Sequence, residues 1–205
     1  MTVMAITNTQ EGVITEAEFV KIVILTTGGQ AVPARPVADD VRRDFEIHLR
    51  RNFRWSIAVQ SKTSKRLKLV GRSRILQIHF RITGRVISDP RFWYFFAHFD
   101  VKAMRFSDPV FLVPSTFVHK HARNGTIYGQ AQFAVWASME PNSRDKWAPY
   151  RVTQAELGPR LLEILESLGS VQGSAPHLLE LAKRANLWVQ PKARAARRSR
   201  LRRAA

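Results

Sequence analysis

An acid, an amide and a lysine stand within one short segment of the chain, residues 44–62, which reads DFEIHLRRNFRWSIAVQSK. Asp44, Gln60 and Lys62 are the side chains whose chemistry is most useful together. Oxygen donors suit a hard divalent cation, and a lysine beside them adds positive charge where a phosphate gains negative charge. Held on rigid strands, the set could bind a metal and activate a water. Glu18 lies upstream, Asp39 and Asp40 precede the segment, and Glu46 lies within it on the same face as Asp44. Asp40 is a rival to Asp44 if the strand starts earlier. His119 and His121, at i and i+2, form a second candidate metal pair if they share a strand, but no third ligand follows at a recognisable spacing.

The elements that must hold these groups are two short strands. Phe45, Ile47 and Leu49 alternate with Asp44, Glu46 and His48; Trp55, Ile57 and Val59 alternate with Ser56, Ala58, Gln60 and Lys62. Successive side chains of a strand point to opposite faces, so each run has an apolar and a polar face. Paired across the basic turn between them, the two strands form a hairpin that can place Asp44, Gln60 and Lys62 on one surface. Upstream, Thr15 is a candidate N-cap for a mostly apolar helix over 16–26, stopped by Gly28-Gly29. Residues 1–14 read as a flexible N-terminus, and 31–41 as extended.

Downstream, Lys65, Arg66, Lys68, Arg72 and Arg74 form a basic connector that reads as an exposed loop able to track a phosphate backbone. Strands are expected over 75–82, over the aromatic run at 92–99, over 110–113 and over 130–139. Thr153, with Glu156 three residues on, reads as a capping box for a helix ending near Leu168. The domain therefore spans 15–169. A further helix is expected within 170–190, followed by a basic tail over 191–205. The order of helix, strands and helices implies an α+β or α/β fold, a central mixed sheet flanked by helices.

Charge is the strongest global signal. The 33 Lys and Arg against 16 acids, in 205 residues, give a formal net charge of +17. The sign favours polyanions such as nucleic acid as partners. The absence of cysteine removes disulfides, thiolate metal sites and thiol nucleophiles, and fits a cytoplasmic setting. No apolar run reaches the roughly 20 residues of a membrane helix, so no membrane partner is expected. The first twenty residues hold no Lys or Arg and do not read as a secretory signal.

The order Glu18, Asp44, Gln60-Ser61-Lys62 resembles the PD-(D/E)xK nuclease-like superfamily, whose kernel runs helix-strand-strand-strand-helix-strand. The DFE and QxK elements, with the FWYFFAHFD and DPVFLVPS blocks, also resemble a bacterial protein family over residues 16–168. The resemblance implies a restriction-endonuclease-like fold and a Mg²⁺- or Mn²⁺-dependent nuclease acting on DNA. Asp44 would ligate the metal directly. Gln60, where many members have Glu, would coordinate through its amide oxygen. Lys62 would orient the attacking water, and Glu18 would bind a second metal or a water on it. The chain departs from the pattern where Arg43, not Pro, precedes Asp44. Arg42, Arg43, Lys65, Arg66 and Lys68 are the candidate nucleic-acid contacts, and double-strand cutting would suit a homodimer. The other reading is a catalytically inactive nucleic-acid-binding or interaction module on the same fold.

Overall fold

The computed structural model describes residues 7–36, 43–81, 86–127 and 130–170. Asp39, Asp40, Arg42, the expected helix within 170–190 and the basic tail lie outside the described residues.

The first helix, α1 (Asn8–Thr26), starts earlier than the sequence suggests. Thr7 is the N-cap: its hydroxyl accepts from the Gln10 N–H at 3.3 Å, and the Gln10 side chain accepts from the Thr7 N–H at 2.8 Å. This capping box satisfies two orphan donors at once and outcompetes Thr15 as a start signal. Thr15 instead sits inside the helix and donates to the Gly12 carbonyl at 3.1 Å. Gly28 and Gly29, at φ +57° and +72°, end the helix with left-handed backbone that most other residues resist.

The strands that follow are β1 (Ala31–Ala34), β2 (Phe45–Leu49), β3 (Asn52–Ser64), β4 (Leu67–Val70), β5 (Ser73–Arg81), β6 (Phe92–Asp100) and β7 (Arg105–Pro114). Helix α2 (Ser115–His121), β8 (Arg123–Ile127), β9 (Gln130–Ser138), β10 (Arg151–Val152) and α3 (Gln154–Ser170) complete the described chain. The fold is α+β. Six strands form a mixed sheet in the order β1-β2-β3-β6-β7-β10, and four form an antiparallel sheet in the order β4-β5-β9-β8.

The large sheet is the middle layer. One face packs on α1 and α3 through Phe19, Ile22, Val23, Leu157, Leu161 and Leu165, against Phe45, Val59, Phe95 and Leu112. The other face packs on the small sheet, with Leu76, Ile78, Phe133 and Val135 against Tyr94, Phe96, Phe111 and Val113. β6 feeds both cores because alternate residues point to opposite faces. The aromatic run is therefore interior, as its density suggests.

The hairpin of β2 and β3 forms with Phe45 opposite Val59 and Ile47 opposite Ile57. β3 then pairs in parallel with β6, Gln60 beside Tyr94 and Lys62 beside Phe96. Parallel neighbours need a crossover, usually a helix; here the β4–β5 hairpin lies within it. The basic connector is thus not a loop but two paired strands, Leu67 opposite Leu76 and Val70 opposite Ser73. Lys68, opposite Ile75, sits on the outer face, while Leu67 and Leu76 pack inward on the other, the face that Arg74 shares at its open end.

The segment around His119 and His121 is helical, not a strand. On a helix, i and i+2 diverge, so the two imidazoles do not converge. His119 Nε2 lies 3.0 Å from the Tyr94 hydroxyl and Nδ1 lies 2.9 Å from Ser88 Oγ, while His121 packs on Phe117 at 4.2 Å between ring centroids. His98 and Asp100, at the end of β6, hold the turn to β7: His98 bonds Ser107 at 2.9 Å and the Asp100 carboxylate accepts from the Lys102 and Ala103 N–H groups. At α3 the capping box forms as expected: Glu156 accepts from the Thr153 N–H at 2.8 Å, and the Thr153 hydroxyl accepts from the Glu156 N–H at 3.2 Å.

α1 and α3 touch closely at Gly158. A Cβ there would meet Thr26 at 2.7 Å from its carbonyl carbon and 2.8 Å from its Cβ. Backbone cannot yield as a flexible side chain can. Gly158→Ala is expected to push the helices apart and cost about 1–3 kcal/mol, read as a lower denaturation midpoint in urea with an unchanged slope. A midpoint equal to that of the native chain would refute the close contact.

Candidate functional site

The site assembles where β1 ends, β2 begins and β3 runs through the sheet interior. Asp44 precedes β2. Its N–H donates to the Val59 carbonyl at 3.0 Å, and its Oδ2 accepts from the Ser61 N–H at 2.7 Å. Asp44 therefore clasps the two residues that flank Gln60. Gln60 and Ser61 are buried, and Lys62 is half-buried. β3 is hydrogen-bonded to neighbours on both sides, so these three positions are fixed by the sheet.

Alternation sends Ser61 to the same face as Val59, toward α1, and Gln60 and Lys62 to the opposite face. The Ser61 hydroxyl is buried and has no hydrogen-bond partner among the described residues. Such an orphan is uncommon and calls for a reason.

The acid that α1 contributes is Glu16. Its carboxylate pairs with Arg35, which follows β1, at 2.8 Å. The Arg35 guanidinium also lies over the Phe45 ring at 5.8 Å, and Phe45 packs on Phe19 at 4.9 Å between centroids. Burial pushes the Glu16 carboxyl above its ordinary range. Arg35 opposes the shift, the Asp44 charge adds to it, and Lys62 opposes it. Arg35 is the charge in contact with Glu16, and those of Asp44 and Lys62 act on it through space.

Glu18, the acid singled out from the sequence, is buried and forms an ion pair with Lys21 on the same helix. Glu16 was legible only in one respect: it stands one turn before Phe19, the residue that seats α1 on β2. The other proposed contacts carry partners of their own. Arg43 pairs with Glu46 at 2.5 Å, and Lys65 with Glu11 at 2.6 Å. Arg66 is exposed in the corner after β3, where its backbone N–H donates to Ser64 Oγ at 3.2 Å. The Lys68 ammonium sits over the Trp136 ring at 4.8 Å.

The donors at this place fit a hard divalent cation. The Asp44 charge makes the Glu16 carboxyl harder to ionise, a repulsion a cation would relieve, and the orphan Ser61 hydroxyl supplies one more oxygen. Among the described residues no three His, Cys, Asp or Glu side chains are grouped as a metal site. A cation here would complete its shell with neutral oxygens and water, as Mg²⁺ commonly does. No helix of the described residues is long and apolar enough to cross a membrane. No family model, no curated protein and no solved structure matches the chain.

Proposed function

We propose that the chain is a divalent-metal-dependent phosphodiesterase acting on DNA, with its centre at Asp44, Glu16 and Lys62. The observation that carries this reading is Asp44 bonded to the backbone on both sides of Gln60, with Glu16 of α1 near enough for the charges of Asp44 and Lys62 to act on its carboxyl. The fold order supports it as well: α1 is followed by the β1-β2-β3 meander and then by β6, parallel to β3. Where the nuclease-like kernel carries its second helix, this chain carries the β4–β5 hairpin.

Asp44 and Glu16 would hold Mg²⁺ or Mn²⁺, with the Ser61 hydroxyl, on the α1 face of β3, as a neutral ligand. When bound, such a cation polarises a phosphate oxygen and acidifies water at its surface. Lys62 places positive charge where the phosphate gains negative charge as water attacks phosphorus and the P–O bond to the leaving strand breaks. Arg35 holds the Glu16 carboxylate toward the sheet. The surrounding excess of Lys and Arg draws the polyanion in and makes binding fall as salt rises. A cytoplasmic location would bring substrate and Mg²⁺ together. A homodimer would supply a centre for each strand of a duplex.

The test is cleavage of plasmid, linear duplex and single-stranded DNA, with Mg²⁺, with Mn²⁺ and with chelator. Cutting that requires the cation supports the reading. Cutting that persists in chelator, or salt-sensitive binding without cutting under any cation, contradicts it; the second result would favour an inactive binding module.

Glu16 also makes a prediction about pH. Its folded pKa is raised, so the folded chain holds that proton more tightly than the unfolded chain does. Stability contributed in this way is present below the unfolded value, about 4.3, and is lost as pH rises through the folded value. Glu16→Gln is expected to flatten that decline and, by removing one carboxylate, to abolish metal-dependent cutting. Denaturation midpoints across the acidic range check the first effect. Parallel pH curves for the two proteins would show that Glu16 is not the strained acid.

A further inference from the structure

We propose that the β4–β5 hairpin is a wing that enters a groove of duplex DNA. The inference rests on the phosphodiesterase reading and names the element that would hold the substrate. β4 is the edge strand of the small sheet. Edge strands are commonly protected by lysine, and Lys68 fits that role. Leu69 and Val70 do not: they are 71% and 51% exposed, one on each face at the end of the strand. An edge that only avoids aggregation has no use for two bare apolar residues beside its turn.

What surrounds them selects the partner. Gly71, at φ +60°, makes the turn, and Arg72 completes it. Lys68, Arg72 and Arg74 are exposed beside them along the hairpin, and Arg66 is exposed just before its first strand. The acid tied to this group is Glu140, which takes Arg74 at 3.4 Å. Behind the hairpin, Lys68 and Arg123 cover the Trp136 ring at 4.8 and 4.7 Å, so positive charge continues across the small sheet. A two-stranded ribbon with cations along its length and an apolar tip matches duplex DNA: the cations meet phosphates, and the tip meets base edges or wedges a base step. The wing begins five residues after Lys62, so it is continuous with the strand that carries the proposed centre.

The test uses the full chain and a short DNA duplex in chelator, where binding is read without cutting. Lys68→Glu with Arg72→Glu is expected to weaken binding at least about tenfold and to lower the salt slope by about two, one for each phosphate contact. Leu69→Ser with Val70→Ser is expected to weaken binding with the salt slope kept, because apolar contact releases no counterions. Both pairs are exposed, so folding is retained and is checked by thermal denaturation. Affinity and slope matching the native chain in the charge variant would overturn the wing, as would tighter binding to anionic vesicles than to duplex. Cutting on the same samples with Mg²⁺ separates the two proposals. Wing-dependent binding by a chain that never cuts would remove the catalytic reading alone, and metal-dependent cutting untouched by either wing variant would remove the wing alone.

Discussion

Asp44→Asn is expected to lower metal-dependent cleavage by roughly 10²–10⁴-fold while leaving the fold in place. The substitution isolates charge from geometry. Asn keeps an oxygen that can accept the Ser61 N–H, the contact that measures 2.7 Å in the native chain. The Asp44 N–H to the Val59 carbonyl is a backbone bond and is unaffected. What is lost is the negative charge that draws a cation. A hydrogen bond to a charged acceptor is stronger than one to a neutral acceptor, so a stability loss of about 1 kcal/mol accompanies the change. Asp44→Ala would be a poorer test, because it also orphans the Ser61 amide. Single-turnover cleavage and a urea melt on the same sample read the two effects. Retained cleavage would move the centre elsewhere.

Phe95→Ala carries the largest expected effect on stability, about 3–5 kcal/mol. Phe95 is fully buried at the middle of β6, with ring centroids 4.7 Å from Phe19 and 5.2 Å from Phe106. It stands beside Ser61 in the parallel register with β3. Truncation leaves a cavity under the strand that carries Gln60 and Lys62, walled by α1 and β7, which cannot collapse without moving the sheet. A loss of this size is a large share of the roughly 5–15 kcal/mol that keeps a domain folded. Phe95→Leu keeps most of the volume and should cost less. A denaturant midpoint shift for Phe95→Ala no larger than that for an exposed substitution would contradict this core.

The parts of the fold legible in the sequence are those governed by local periodicity. The β2–β3 hairpin was readable because its apolar residues alternate, and α3 because Thr153 and Glu156 form a capping box ahead of an apolar stripe. The start of α1 was missed because the T-x-x-Q box at Thr7 lies in a polar stretch that carries little hydrophobic signal. Which acid of α1 faces the sheet was equally hidden. The helix is apolar on several sides, with Phe19, Ile22 and Val23 buried while Val13, Ile24 and Leu25 are exposed, so no single stripe marks the inner face. Glu16 emerges only through Arg35, a partner nineteen positions away.

β4 and β5 were hidden by their charge. Alternating Lys and Arg read as solvated loop, yet one face of a strand in a small sheet can be solvated throughout while Leu67 and Leu76 anchor the other. α2 was not announced by the sequence because its seven residues are too short to show a helical period. The parallel pairing of β3 with β6 depends on residues more than thirty positions apart, and no local pattern announces it.

The central claim is that Asp44 and Glu16 together hold a divalent cation, and it can be tested without knowing the substrate. Mn²⁺ titrated calorimetrically into the native chain should bind, and binding should weaken at least about tenfold in Asp44→Asn and in Glu16→Gln, with both variants folded. Equal binding by all three proteins, or no binding by the native chain, would contradict it.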